Sequence, residues 1–155
     1  MTEYDSIRDG RTFESAIPVE VTHELIAEFC AAIGETNPLY TDPTAASAGP
    51  DGGLVAPPSL AAIFGDGENI FQRFPEFERR RLAAGMDVEF VAPIRAGDSI
   101  TTVSRVKEIY QKTGRSGAML FIVVSSDLRK QNGEMAAHIE HSFTTPLQGH
   151  KSHQG

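Results

Sequence analysis

The apolar residues change their rhythm at Gly85, and that change constrains the fold more than any other feature of the sequence. Beyond it, Met86, Val88 and Phe90 alternate with Asp87, Glu89 and Val91, the period of a strand, which Pro93 ends. Ser99 to Tyr110 is a longer β-rich run whose alternation slips once, which predicts a bulge. Thr113-Gly114-Arg115-Ser116-Gly117 reads as a turn, and Ala118 to Asp127 as a continuous apolar strand at the centre of a sheet. Gln131-Asn132-Gly133 signals a hairpin, with Asn-Gly the favoured type I′ pair, and Glu134 to Thr145 supplies the last strand.

Before Gly85 the spacing is helical. Thr22 is placed to cap a helix, with Glu24 in its first turn favourable to the helix dipole. Leu25, Ile26, Phe29, Cys30 and Ile33 follow at helical spacing, and Gly34 stops the run. Glu35 to Gly53 is turn-rich, punctuated by Asn37-Pro38, Asp42-Pro43 and Gly49-Pro50-Asp51-Gly52-Gly53. So long an irregular stretch in a compact domain usually has a function. Pro57-Pro58-Ser59 opens a second helical stretch through Leu60, Ile63 and Phe64, continued by Ile70 and Phe71 and closed by Phe74-Pro75. Helices followed by an antiparallel meander give an α+β layout, with one long helix to cover the sheet. At 155 residues this is one domain, expected over 1–148, with a small, polar and mobile tail over 149–155.

Composition excludes several classes of function. A formal charge of −7 disfavours non-specific nucleic-acid binding, which needs a basic face to displace counterions. The lone Cys30 has no disulfide mate in the chain and lies in an apolar helical pattern, where a small buried hydrophobe is the ordinary reading. No Cys and His cluster has metal-ligand spacing, and nothing calls for a cofactor. The first residues lack the basic-then-apolar pattern of a signal peptide, and no run approaches the ~20 apolar residues that span a bilayer. A cytoplasmic protein with no membrane or nucleic-acid partner is expected.

Three separated segments carry a resemblance. Gly34-Glu35-Thr36-Asn37-Pro38-Leu39-Tyr40-Thr41-Asp42 looks like the Asp-x-Asn-Pro-Leu-His motif of MaoC-like, or R-specific enoyl-CoA, hydratases. Gly53-Leu54-Val55-Ala56-Pro57-Pro58-Ser59-Leu60 stands where that family has a His-Gly pair opening its central helix. Val88-Glu89-Phe90-Val91-Ala92-Pro93-Ile94-Arg95-Ala96-Gly97-Asp98 is similar to its strand, Pro and Gly-Asp signature. The order agrees, and the resemblance runs from about Val21 to Thr145. It implies a single hot-dog fold, an antiparallel sheet wrapped around a long central helix with a helical overhang segment before it. It also implies action on acyl-CoA or acyl-ACP thioesters, adding or removing water through a carboxylate and an imidazole. Amide N–H groups at the central helix start would hold the developing oxyanion.

The chain departs from that pattern at each chemical position. Glu35 stands for the catalytic Asp, one methylene longer, and a shift of about 1 Å can cost on the order of 100-fold. Tyr40 stands for the catalytic His, and a phenol with pKa about 10 is a poor base where imidazole at about 6.5 is poised. Pro57 and Pro58 stand for the His-Gly pair and offer no N–H. Losing one oxyanion donor costs roughly 100- to 1,000-fold. This altered set resembles the accessory subunits of mycobacterial (3R)-hydroxyacyl-ACP dehydratases and the N-terminal halves of double-hot-dog dehydratases. The resemblance implies an acyl-binding subunit in a hetero-dimer with a catalytic MaoC-like chain, the partner supplying Asp and His. A homodimeric hydratase using Glu35 alone, and a binding module without catalysis, are the alternatives.

On this reading the candidate catalytic positions are Glu35 and Tyr40, and Asn37, Pro57, Pro58, Ser59 and Phe64 are candidate substrate contacts. Each has an ordinary structural reading too. Asn37, Pro38 and Asp42 suit a turn, Glu35 a solvated position after a helix, and Tyr40 a packed aromatic. His138 and His141 fall on opposite faces of the last strand, His23 on a helix surface, and His150 and His153 in the tail. Arg79-Arg80-Arg81 reads as a solvated face before it reads as a phosphate site, and Phe64, Phe71, Phe74 and Phe77 as core before an acyl tunnel.

Overall fold

The computed structural model describes residues 13–14, 17–64, 70–74, 77 and 80–147. Its first helix, α1 (His23–Ile33), starts where Thr22 accepts the N–H of Leu25 on its hydroxyl at 3.0 Å. It ends at Gly34, whose φ of 73° closes the last turn without a Cβ to obstruct it. Ile26 and Cys30, one turn apart, face the core. The turn-rich stretch holds two further short helices, α2 (Pro38–Thr41) and α3 (Pro43–Ser47). Each has Pro at its start and an Asn or Asp cap, Asn37 for the first and Asp42 for the second.

The sheet is antiparallel throughout. Two-residue strands β1 (Phe13–Glu14) and β2 (Val19–Glu20) both lie along β4 (Ser99–Gly114). Beyond β4 come β5 (Gly117–Lys130), β6 (Met135–Pro146) and β3 (Leu82–Phe90), giving the order β1-β4-β5-β6-β3. The apolar segment around Ala118 to Asp127 is therefore central, as its composition predicts. The expected bulge falls between Val106 and Glu108, and Arg115-Ser116 form a two-residue turn between the paired Gly114 and Gly117.

Three expectations need correction. The stretch from Pro57 to Phe74 is not one long central helix: it contains two short 3-10 segments, Pro58–Phe64 and Ile70–Arg73. Leu60 bonds back only three residues, to the Pro57 carbonyl at 2.9 Å, and Gly65 and Gly67, poor helix formers, follow in sequence. The β5–β6 hairpin has three loop residues rather than a two-residue type I′ turn. Gly133 takes φ 84° and donates to Lys130, Lys130 donates to Glu134, and Ala136 is the extra residue in the register shift. Finally, β3 begins at Leu82, before the alternation does, because its pairing with β6 extends to Thr144.

Two apolar clusters line the inner face of the sheet. One joins α1 and the first 3-10 segment, through Ile26, Cys30, Leu60 and Phe64, to Ile100, Leu128 and Ile139. The other packs Ile70, Phe74 and Phe77 on Leu120, Ile122, Val124 and Phe143. Along β4 and β5, buried hydroxyls stand between them: Ser104 and Ser126 share a 2.7 Å hydrogen bond, and Thr102 donates to the Phe64 carbonyl. Phe64, Phe74 and Phe77 are thus core residues, and the half-buried Phe71 packs edge-on to Phe143. Arg81 is not merely solvated; its guanidinium lies 3.8 Å from the Phe71 ring centre. Arg79 and the tail lie outside the described residues, as do His150 and His153.

Candidate functional site

Short backbone hydrogen bonds bring the three segments together. Ala56 donates to Ile94 at 2.8 Å and Ala96 to Leu54 at 3.0 Å, making a bridge of Val55 with Arg95. Val55 also donates to the Leu39 carbonyl, which ties the first segment to the second. The Gly97-Asp98 turn exchanges bonds with Val21 just before α1. Asp98 holds this junction rigid: its carboxylate accepts the Arg95 N–H at 2.8 Å and pairs with the nearly buried Lys130 at 3.2 Å. Lys130 in turn donates to the Pro93 carbonyl.

Where the segments meet there is a cleft of about 300 Å³. Tyr40, Val55, Pro57 and Pro58 form one wall, and Phe90, Val91, Ala92, Pro93 and Ile94 the other, with Asp51 at the side. The second wall is shaped by the bulge in β6, since the carbonyl of Ala136 accepts the N–H groups of both Val91 and Ala92. Sequence reasoning did not single out that wall as a site. Its signal is two consecutive apolar residues, Val91 and Ala92, after the alternation ends, and Val91 remains 59% exposed.

The candidate residues divide sharply. Tyr40, Pro57 and Pro58 line the cleft. Glu35 is on the turn leading to it, and its Oε1 accepts the backbone N–H groups of Thr36 and Asn37 at 3.0 and 2.9 Å. Asn37 caps α2 by accepting from Leu39, and Asp42 caps α3 by accepting from Thr44 and Ala45. Ser59 is exposed and does not line the cleft, while Phe64 is buried in the core. Cys30 is buried behind Tyr40, and burial, with the charge of Glu35, pushes its thiol above the ordinary range, which leaves it unreactive. The cleft is thus an apolar slot with one phenol, and its one carboxylate, Asp51, pairs with Arg95 at 3.5 Å.

The histidines of the last strand do not reach the cleft wall. His138 and His141 are on opposite faces, as their spacing predicts. His138 pairs through Nδ1 with Asp127 at 2.7 Å, and its Nε2 is 3.4 Å from Ser125 Oγ. That order of groups has the sequence of a nucleophilic triad without its function. Ser125 is buried in the central strand, whose amides are paired on both edges, so that strand offers no N–H group to an oxyanion. His23 is on the exposed face of α1.

Comparison with known proteins agrees with this architecture. A family model described as the FAS1-like dehydratase domain region matches residues 9–139. A UPF0336 protein of Streptomyces avermitilis is 34% identical over 110 residues, covering 68% of this chain and 73% of that protein. Among solved structures, an (R)-hydratase from A. caviae involved in PHA biosynthesis superimposes with a TM-score of 0.70 at 20% identity, covering 92% of this chain and 99% of that one. The HadBC (3R-hydroxyacyl-ACP dehydratase) complex of Mycobacterium tuberculosis gives 0.72 at 18% identity, with 89% and 96% covered. The curled antiparallel sheet with its few helices is the α+β hot-dog fold.

Proposed function

The chain belongs to the FAS1-like dehydratase-region family, in the company of hot-dog hydratases and dehydratases, and from that premise we propose that it is an accessory, acyl-binding subunit. Its substrate would be a 3-hydroxyacyl or trans-2-enoyl thioester of CoA or of an acyl carrier protein. A second hot-dog subunit would supply the carboxylate and imidazole that move water and the C2 proton.

One observation carries this reading. A general base must be within hydrogen-bond reach of the proton it takes, and must be available to take it. Glu35, the carboxylate at the motif position, is not among the residues that line the cleft and gives Oε1 to its own turn. Asp51, which does line it, pairs with Arg95, and the position expected for an imidazole holds Tyr40. Pro57 and Pro58 have no N–H to hold an oxyanion where the helix begins. What remains is suited to binding. Val55, Phe90, Val91 and Pro93 offer apolar surface to an acyl or pantetheine arm, and burying each methylene contributes about 0.8 kcal/mol.

The test is hydration of crotonyl-CoA by the purified chain, alone and co-expressed with a MaoC-like subunit that has the intact Asp-x-Asn-Pro-x-His motif. Background turnover alone and a measurable rate for the pair are expected. Turnover by the chain alone that disappears in Glu35→Gln would overturn the proposal in favour of a self-sufficient hydratase.

A further inference from the structure

The two edges of the sheet are unequal. The β4 edge is partly covered by β1 and β2, whereas β3 has β6 on one side and, among the described residues, no strand on the other. Eight of the nine residues of β3 are exposed. On its inner face Met86 and Phe90 remain 39% and 51% accessible, and on its outer face stand Asp87 and Glu89. An uncovered edge is a template for another strand.

Its charges say what kind of strand fits. Asp87 lies opposite Glu140, whose carboxylate is already held by Lys107, and Glu89 lies opposite His138, which is held by Asp127. Among the described residues no Lys or Arg pairs with Asp87 or Glu89. Like charges directly opposite destabilise an antiparallel pair, and opposite charges favour it. Joining two copies of β3 about a two-fold axis at Asp87, Val88 or Glu89 sets carboxylate against carboxylate. An axis at Met86 leaves Asp87 diagonal to its own copy. Every such register gathers four carboxylates on one face of the joint.

We propose that the free edge of β3 receives a strand of a second hot-dog subunit that presents Lys or Arg opposite Asp87 and Glu89, and that this acid pair selects such a partner over a second copy of the chain. The inference rests on the accessory-subunit reading for the partner's role, but its electrostatic content can be tested with this chain alone.

The chain is mixed with its own D87K/E89K variant, and association is followed by analytical ultracentrifugation at low and high salt. The acidic and basic edges should associate at least about tenfold more tightly with each other than either does with itself, and salt should narrow the gap. Amide exchange should slow over residues 82–90 in the mixture. An E24K/E28K variant, with the same charge change on the exposed face of α1, should show no such preference for the unaltered chain. If the lysine variant fails to fold, D87N/E89N should self-associate more tightly than the unaltered chain. A mixture no tighter than the unaltered chain alone, equal preference for the α1 variant, protection elsewhere, or asparagines without effect would each overturn the proposal. A catalytic pair without activity would instead remove the accessory role and leave the edge result standing.

Discussion

Oε1 of Glu35 accepts the backbone N–H of Asn37 at 2.9 Å, and Asn37 in turn accepts the N–H of Leu39 on its own side chain. The two residues make a relay of local caps that carries the chain from α1 into α2. Glu35 Oε1 and Asn37 Oδ1 at the hydratase-motif positions thus serve to shape the turn.

Glu35→Ala removes an acceptor from two amides and should lower stability by about 1 kcal/mol, the usual size of a lost cap. Glu35→Gln keeps a carbonyl oxygen there and should stay within about 0.5 kcal/mol of the parent. Urea unfolding of both variants checks this, and equal losses would show that an acceptor oxygen at this position is not what holds the turn.

Restoring the side chains alone should not restore the chemistry. The double substitution Glu35→Asp with Tyr40→His recreates both groups, yet Pro57 and Pro58 still offer no N–H to an oxyanion. Crotonyl-CoA hydration by this variant on its own should remain at background. A clear rate would mean that other donors serve the oxyanion.

Acid stability should respond to one outward-facing pair. The hydrogen bond from Lys107 is the main cause holding the Glu140 carboxyl below its usual 4.5. A group whose folded-state pKa is depressed adds stability above its unfolded value and loses it as pH falls through the folded one. Glu140→Gln should therefore lower stability near neutral pH, by less than about 1 kcal/mol for so accessible a pair. The difference from the parent should shrink as the pH drops below 4.5. Thermal melts from pH 7 to pH 3 test the sign, and a gap that widens on acidification would contradict it.

Thr22→Ala should cost about 1 kcal/mol, because the Leu25 N–H then loses its side-chain acceptor. Thr22→Ser keeps a hydroxyl and should recover most of the loss. Chemical denaturation of both variants measures the difference.

The meander was legible because alternation, Gly-bounded turns and a central apolar run are all local signals. The slip that placed a bulge near Val106 and the cap at Thr22 belong to the same class. The second helical stretch differs in form: Leu60, Ile63 and Phe64 have the spacing of a long helix, while from the Pro57 start Leu60 bonds back only three residues and the segment is 3-10. In the cleft, Tyr40, Pro57 and Pro58 could be found from their motifs. Phe90 to Ile94 belong to the third motif, but their place in the wall of the cleft could not be read from it, because the wall's accessibility depends on β3 lying at the end of the sheet. That position follows from a pairing with β6 some fifty residues later, as in Val88 with Ile139.

This strand order has a consequence for synthesis. β4, β5 and β6 zip through tight hairpins as they are made, but β3 is translated before all of them and its neighbour is translated last. Until residues 135–146 leave the ribosome, Met86 and Phe90 have no strand beside them. The nascent chain must carry that greasy ribbon unaccompanied while β4 and β5 are made, which makes it the segment for a chaperone to shield.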